Sequence, residues 1–492
     1  MKYNPGITCV RIRLLQLGLT CLLLMAPWAH GQTIEAPLPN IGGAGGGLIS
    51  EQQESSIGRQ VMMSIRRSGK QIEDPLVYDY LQAVAYRLVP SAPLGNRNLT
   101  LAPIDSPDMN AFAVPGNIVG VNGGLFLRAK TEQQFASVLA HELAHLSQRH
   151  FARRLEQQEK SAPLTIAGMI AGIVLSAVTQ SDLGVAAIAG TQAMAVQNTL
   201  SYSRSNEQEA DRIGLDILAK SGMDPRGMPE MFEIMMRQNR MQGNQVPEWL
   251  STHPLTQSRV SDTRSRAEQY PEGEFADSQE YHLVRFRLQV HYSRSPTIAV
   301  ETFRNQLQRS SPQYENAMRY GLAVALLSDS QPAKAETELR QLLEEQPERI
   351  TYLVTLAESL LQQKRAEEAR KIMTRALERN PGNYPITAKL ATIELESGNA
   401  EQAADYLKQL TRQFPDQEHL WLKLAEAQGM ARNIVGVHRA RAEFDILLGD
   451  LESAERQLRQ AQEKLSPGTP ERQVVTERLS EVSSVLARHR RS

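Results

Sequence analysis

The sequence predicts a mainly α-helical chain of the α+β class, in which an α+β domain is followed by an α-solenoid. Short β-like and helical segments are mixed over residues 51–270. Over residues 281–488, amphipathic helices follow one another without strands, and their pattern repeats every 34 residues. The chain has 492 residues, of which 41% are apolar, so it is long enough for two cored domains.

The first 31 residues have the layout of a secretory signal peptide. Basic residues precede the run from Leu14 to Ala26, and the small residues Ala29 and Gly31 could occupy the cleavage positions. The run holds 13 residues, fewer than the roughly 20 that span a bilayer, which argues against a retained anchor. Lipid attachment at Cys21 is disfavoured because more of the apolar run follows it. We therefore expect cleavage near Gly31.

Removal of the signal changes the composition of the mature chain. It takes away three positive charges and moves the formal net charge from −1 to −4, so nothing basic suggests a nucleic-acid partner. Both cysteines, Cys9 and Cys21, are removed with it. Any bound metal must therefore use histidine and carboxylate ligands.

Residues 32–50 are predicted to be a flexible linker, because Pro37 to Gly47 is rich in proline and glycine. An α+β domain follows over residues 51–270. Its helical periodicity is clear at 57–65 and 77–88, and its β-like pieces are 99–104 and 111–121.

One predicted helix carries the residues that suggest catalysis. Glu132 to Arg149 is predicted to form a single amphipathic helix with Thr131 as its N-cap. His141 and His145 lie four residues apart, so they share a helix face and could bind one metal ion. Glu142 lies beside them and could take a proton from a metal-activated water.

A hydrolytic zinc site needs a third protein ligand and an open position. On a later helix, Glu207 and Asp211 are also four apart, so one could bind the metal while the other steadies a ligand histidine. Glu209 points elsewhere and is predicted to be a surface charge. His150, five residues beyond His145, is predicted to be solvated at the helix end.

The strings H-E-x-x-H, E-x-x-A-D and Thr252-His253-Pro254, the last with Arg259 downstream, together resemble the HtpX, Oma and CAAX-prenyl-protease superfamily of zinc peptidases. The resemblance implies a zincin-type metallopeptidase domain with one Zn²⁺ per subunit. By this resemblance, the zinc ligands would be His141, His145 and Glu207. Glu142 would be the catalytic base, and Asp211 the catalytic carboxylate that supports the site.

The same resemblance implies roles for a loop and a strand. His253 would reach the zinc, occupy the water position and hold the enzyme off, whereas the residues alone favour an ordinary surface histidine. Arg259 would hold this loop or an acyl oxyanion. The strand Asn110-Ala111-Phe112-Ala113 resembles the family's edge strand, which pairs with an extended substrate backbone.

The second half resembles tetratricopeptide repeats, in which small residues let paired helices approach closely. Three sets of residues recur at 34-residue intervals: Leu322-Ala323, Leu356-Ala357, Leu390-Ala391 and Leu424-Ala425; Ala335, Ala369 and Ala403; Pro347, Pro381 and Pro415. Ala299, Phe303 and Pro312 look like a worn earlier repeat. After Ala425 the register slips, so the last units are expected to be irregular or to form a cap.

Two uncharged 21-residue runs, Ser161–Ser181 and Leu183–Ser203, could form a membrane hairpin. Their richness in Gly, Ala, Ser, Thr and Gln favours instead a lid over the cleft, soluble or in peripheral contact with a membrane.

A signal peptide, such a peptidase domain and repeats are together similar to periplasmic family members that act in quality control and assembly of outer-membrane β-barrel proteins. The resemblance implies misfolded or stalled outer-membrane proteins as substrates. It also implies the β-barrel assembly machinery and similar envelope proteins as partners of the repeats, with a chaperone-like activity. The competing hypothesis is a repeat-based adaptor or chaperone of the envelope with a latent protease site.

Overall fold

The structure is a computed structural model that describes residues 50–159, 203–241, 248–309 and 312–489. The predicted signal peptide, residues 32–49 of the predicted linker and residues 161–202 of the hairpin or lid lie outside the described residues. Within these ranges, no helix is both long enough and apolar enough to cross a membrane.

Two capped helices begin the predicted α+β domain, residues 51–270. Helix α1 (Glu51–Ser68) starts at a capping box on Ser50 and ends at Gly69, whose left-handed backbone closes the helix. Helix α2 (Pro75–Leu88) has Asp74 as its N-cap and proline in its first turn. Both helices confirm the periodicity at 57–65 and 77–88, and a short 3₁₀ turn, Val89–Ser91, follows.

A small sheet comes next, with strands β1 (Thr100–Ile104), β2 (Ala111–Val114) and β3 (Ile118–Asn122) in the order β1-β3-β2. The pair β1 and β3 is parallel, and the pair β2 and β3 is antiparallel. Strand β2 therefore lies at one edge of this three-stranded sheet.

The β-like stretch Ala111–Val121 proves to be a hairpin rather than one strand. Gly116 and Asn117 both adopt positive φ, which glycine and asparagine do at little cost, so the chain reverses there. Across the hairpin Phe112 pairs with Gly120, and its ring fills the space that a Cβ of Gly120 would need.

The helix with the H-E-x-x-H string lies between two short helices. After α3 (Gly123–Arg128), α4 (Glu132–Ser147) begins at the predicted N-cap Thr131, and α5 (His150–Glu159) follows. The predicted single helix to Arg149 is wrong at its end, because Arg149 adopts a φ of +50° and breaks the helix.

In the described part of the chain, five more helices precede the repeats: α6 (Arg204–Lys220), α7 (Gly227–Met241), α8 (Glu248–Thr252), α9 (Gln257–Ala267) and α10 (Gln279–His291). Helix α4 is buried between α6 and α7. An aromatic cluster of Phe126, Phe135 and Tyr281 packs beneath its start. The predicted α+β, mainly α class is confirmed.

The repeats are helices α11 (Pro296–Leu307), α12 (Pro312–Ser328), α13 (Pro332–Glu345), α14 (Ile350–Gln362), α15 (Ala366–Arg379), α16 (Tyr384–Glu396), α17 (Ala400–Gln413), α18 (Glu418–Met430), α19 (Ile434–Leu448), α20 (Leu451–Glu463) and α21 (Pro470–His489). The recurring alanines are buried between helices. Beyond Ala425, Ala442 and Ala454 join a separate apolar cluster with α21, in keeping with the predicted change of register.

Charged side chains join the first helix of the predicted α+β domain to the repeats. Arg67 Nε donates to the carbonyl of Leu448 at 2.6 Å, at the C-terminus of α19. Arg66 donates to the carbonyl of Asp416 at 2.8 Å and pairs with Glu418. Helix α1 is thereby fixed against the later repeats.

Candidate metal centre

Helix α4 carries three ionisable side chains into the protein interior. His141, Glu142 and His145 are at most 2% exposed. Since unpaired polar groups are costly to bury, this helix needs polar partners from other segments.

Helix α6 supplies carboxylates because it approaches α4 closely. Gly214 faces the backbone of Ala140 and His141, where a Cβ would lie 3.3 Å from the His141 nitrogen. Ala210 is also fully buried at this contact. The close approach places Glu207 beside the two histidines.

The side-chain atoms of these residues that could bind a metal ion converge. The Nε2 atoms of His141 and His145 lie 3.0 Å apart. His145 Nε2 is 3.4 Å from Glu207 Oε1, and His141 Nε2 is 3.6 Å from Glu207 Oε2. Ligands at about 2.0–2.1 Å from a tetrahedral zinc are separated by roughly 3.3–3.4 Å, so these three side chains fit one ion.

His253 belongs to the same cluster. Its Nδ1 lies 3.4 Å from His141 Nε2 and 3.1 Å from Glu207 Oε1. Ligand atoms of His141, His145, Glu207 and His253 all lie within 4.8 Å of one another. The structure therefore offers four donors around one point, three on helices α4 and α6 and one on the segment after α8.

The formal charges of the buried groups also favour a divalent cation. Glu142, Glu207 and Asp211 are buried carboxylates, and Arg259 is a guanidinium buried beside them. With three carboxylates, one guanidinium and neutral histidines, the formal count leaves two negative charges uncompensated in a medium where unpaired charge is expensive. A doubly charged ion would balance them.

The pKa values agree with this donor set. Burial raises the pKa of Glu207, but His253, His141 and His145 hold it well below its usual range. Burial lowers the pKa of His145 well below its usual value. Burial also lowers the pKa of His141, but Asp211 and Glu207 raise it more, to about 9. A metal ion would take the place of the proton that this value implies.

Asp211 lies behind His141. One carboxylate oxygen is 3.0 Å from His141 Nδ1. Arg259 donates to the two carboxylate oxygens of Asp211, from Nη2 at 2.7 Å and from Nε at 2.8 Å. Its Nη1 lies 2.7 Å from Glu207 Oε2. The same guanidinium donates to the carbonyl of Pro254 at 2.8 Å. Arg259 therefore contacts both the carboxylates and the loop that carries His253.

Helix α8 covers Glu142. Trp249 Nε1 donates to Glu142 Oε1 at 3.1 Å, and the Trp249 ring stacks on His253 with centroids 4.6 Å apart. Trp249 is fully buried. Glu142 thus holds a hydrogen bond with α8 in this conformation.

The start of the predicted substrate strand contacts the same helix. Asn110 and Ala111 are buried, and Phe112 is partly exposed. Burial raises the pKa of Glu248, at the start of α8, to about 8; Asp108 adds to the rise and a hydrogen bond with Asn110 opposes it. Among the described strands, β2 pairs on one side only, with β3.

His150 and Glu209 lie elsewhere than the sequence indicated. His150 is fully buried, with Nδ1 2.9 Å from His145 Nδ1 and Nε2 3.0 Å from Glu209 Oε2. Burial lowers the pKa of His150, and Glu209 opposes that shift. The predicted solvated position of His150 is wrong, because the break at Arg149 turns the chain back toward His145. Glu209 remains partly exposed, as expected of a surface charge, but it contacts His150.

Sequence reasoning also missed Trp249. It lies four residues before His253, on the helix whose end holds that histidine. An aromatic residue at this spacing is a signal that could have been found, whereas its contact with Glu142 depends on the tertiary fold.

Comparison with known proteins identifies the family to which the chain belongs. The model of "Peptidase family M48" matches residues 75–267, and two tetratricopeptide-repeat models match residues 320–384 and 360–428. The "Metalloendopeptidase OMA1, mitochondrial" of Bos taurus is 34% identical over 161 residues, or 32% of this chain and 30% of its own length.

Longer matches link the peptidase and repeat regions. The "Putative beta-barrel assembly-enhancing protease" of Vibrio cholerae is 37% identical over 343 residues, 69% of this chain and 70% of the relative. The "Beta-barrel assembly-enhancing protease" of Escherichia coli is 34% identical over 316 residues, 64% of each chain. The chain therefore belongs, with these proteins, to the metallopeptidases of family M48 that carry tetratricopeptide repeats.

Proposed function

We propose that the protein is a zinc endopeptidase in which His141, His145 and Glu207 bind one Zn²⁺. The observation that carries this proposal is the convergence of their ligand atoms at separations suited to one tetrahedral ion. Two histidines and a carboxylate form a donor set typical of catalytic zinc. Asp211 would fix the ring of His141 through Nδ1.

Glu142 is the proposed general base. When bound, zinc supplies Lewis-acid chemistry that polarises the scissile carbonyl and makes water more acidic. Glu142 would take the proton of the attacking water and later deliver it to the leaving amine. Its burial within the site excludes bulk water from this transfer.

We propose Asn110, Ala111, Phe112 and Ala113 as the strand that binds substrate. Strand β2 lies at the edge of the described sheet and packs against α4. An extended peptide added to this edge would run past the metal ligands. Backbone hydrogen bonds would then provide affinity with little sequence preference.

A self-inhibited resting state is also proposed. His253 Nδ1 lies among the ligand atoms, and Trp249 holds the proposed base. With both contacts made, the fourth metal position and the proton acceptor are occupied by α8 and the residue that follows it. Activation would require this segment to move away from Glu142.

The biological role is proposed from the names of the relatives. We propose that the enzyme acts in the periplasm on misfolded or stalled outer-membrane β-barrel proteins, with a chaperone-like activity, and that its repeats bind assembly partners. Residues 51–270 would be the peptidase domain and residues 281–488 the repeat domain.

Glu142→Gln tests the peptidase mechanism. The amide cannot accept the proton, so cleavage of an unfolded outer-membrane protein should fall by roughly 10²–10⁴-fold while zinc content and melting temperature stay unchanged. Glu268→Gln, at an exposed position of the peptidase region, is the control. Cleavage by Glu142→Gln at the wild-type rate would disprove the mechanism.

The same variant separates the enzyme from the adaptor. If wild-type protein cleaves nothing, yet deletion of the repeats reproduces the cellular phenotype of a full deletion, the adaptor or chaperone hypothesis is correct. If Glu142→Gln reproduces that phenotype, proteolysis is required.

His253→Ala tests self-inhibition. Loss of the imidazole should open the fourth position and raise basal proteolysis or self-cleavage. Trp249→Phe keeps a ring against His253 but removes the indole N–H donor, so a smaller increase is expected. Unchanged or lower activity of His253→Ala with intact zinc content would contradict the self-blocking role.

A further inference from the structure

We infer that His150 and Glu209 are positioning residues for the ligand His145, holding its ring so that Nε2 faces the metal. The inference rests on the proposed metal site and extends it beyond the residues that touch the ion. Four side chains contact one another in series from the site toward the surface: His145, His150, Glu209 and Arg153.

The contacts in this series are short and continuous. His145 Nδ1 lies 2.9 Å from His150 Nδ1, and His150 Nε2 lies 3.0 Å from Glu209 Oε2. Arg153 approaches the same Glu209 oxygen at 3.5 Å. Both histidines are buried, whereas the Glu209 side chain is 31% exposed. This series of contacts therefore leads from two buried histidines to a partly solvated carboxylate.

The direction of these hydrogen bonds follows from counting protons. An ionised Glu209 can only accept, so His150 must donate from Nε2. The remaining nitrogen of a neutral His150, Nδ1, is then an acceptor, and His145 must donate to it from Nδ1. That leaves the lone pair of His145 on Nε2, the nitrogen that faces His141 and Glu207.

The fold explains how two residues outside the H-E-x-x-H string reach this position. Arg149 adopts a left-handed backbone, which ends α4 and starts α5 at His150. The ring of His150 can then return to His145. Glu209 lies on α6 between Glu207 and Asp211 and reaches the same ring from the opposite helix.

Each ligand histidine thus has a partner behind it. Asp211 contacts Nδ1 of His141 directly, whereas His150 contacts Nδ1 of His145 and is itself held by Glu209. Such outer partners fix the tautomer and the ring orientation of a ligand, and losing one typically costs roughly 10–100-fold in metal affinity.

Two substitutions at His150 separate positioning from simple packing. In His150→Asn the amide oxygen can take the place of Nδ1 and still accept from His145. In His150→Gln the amide lies one bond further out, near the former Nε2, and His145 loses its acceptor. The two variants differ by one methylene but have opposite consequences for the hydrogen bond.

The measurement is zinc affinity of the full mature chain by competition with a chromogenic chelator, together with the visible spectrum of the Co²⁺-loaded protein. For His150→Asn, which keeps the acceptor for His145 but loses the contact with Glu209, we expect the same small loss of zinc affinity as for Glu209→Ala. For His150→Gln we expect roughly 10–100-fold weaker zinc binding and an altered spectrum. Glu209→Ala should weaken zinc binding less than His150→Gln does. Gln208→Ala, a control at the exposed neighbouring position, should leave zinc affinity unchanged.

Equal zinc affinity and identical Co²⁺ spectra for wild type, His150→Gln and Glu209→Ala would overturn the inference and leave the proposed peptidase intact. Equal weakening by His150→Asn and His150→Gln would also overturn it, since packing alone would then explain the effect. A wild-type protein that binds no zinc would overturn both proposals.

Discussion

The peptidase region and the repeats bury different kinds of side chain. The centre of the peptidase region holds ionisable groups that contact one another: His141, Glu142, His145, His150, Glu207, Asp211, His253 and Arg259. The repeats bury mainly alanine and leucine at fixed intervals, and many of their charges pair between neighbouring helices near the surface. The first core requires specific partners from distant segments, whereas the second requires only that small residues recur.

From this difference we predict that replacing one polar atom in the core of the peptidase region will abolish the function of the site. Glu207→Gln keeps the volume of the side chain but removes the negative charge and one oxygen that could bind the metal. Zinc affinity should fall by more than the roughly 10–100-fold expected for an outer partner. Metal content measured after dialysis checks this, with the exposed Glu401→Gln as control. Full zinc occupancy in Glu207→Gln would show that another residue is the third ligand.

In the second core, volume rather than charge should matter. Ala357 on α14 is fully buried, so Ala357→Leu should overpack the contact between paired helices and cost about 1–3 kcal/mol of unfolding free energy. Ala333→Leu, at an exposed position on α13, should cost little. Chemical denaturation of both variants gives the result. A loss of zinc affinity in Ala357→Leu without a loss of stability would break the proposed separation of the two cores.

An effect that appears only at acidic pH comes from a titratable group in the repeats. Burial lowers the pKa of His419 to about 3, and Tyr384 lies within hydrogen-bonding distance of its ring. The folded state therefore binds fewer protons than the unfolded state between about pH 3 and the ordinary value near 6.5. The stabilising contribution is complete above about pH 6.5 and falls by up to roughly 1.4 kcal/mol per pH unit below it.

His419→Gln removes the titrating ring and should flatten the acid side of the stability profile. Denaturation midpoints at pH 8, 6.5 and 5 for both proteins provide the comparison. If wild type and variant lose equal stability between pH 6.5 and 5, His419 does not cause the acid sensitivity.

The repeats show how much a periodic sequence can predict. Each helix contacts mainly its neighbours, so the 34-residue recurrence of Leu-Ala pairs was sufficient to predict the helices and their buried alanines. The same reasoning placed His141 and His145 on one helix face. It also paired Glu207 with Asp211, because spacing along a helix is a local property.

Three features of the site were decided by tertiary structure. The left-handed residue Arg149 turns His150 back toward His145, and a helix pattern does not reveal such a break. Glu209 becomes a partner of His150 only because α6 packs against α4, beside the turn that places His150. Trp249 reaches Glu142 across a sequence distance of 107 residues.

The sequence by itself therefore determined the helical repeats, the face of α4 that carries the imidazoles and the carboxylates available to complete a site. Only the tertiary structure decided which carboxylate lies behind which histidine and which side chains close the centre. The physical reason is that backbone periodicity fixes the direction of a side chain within its own helix. Contacts between helices depend on where small residues such as Gly214 and breaks such as Arg149 let the elements meet.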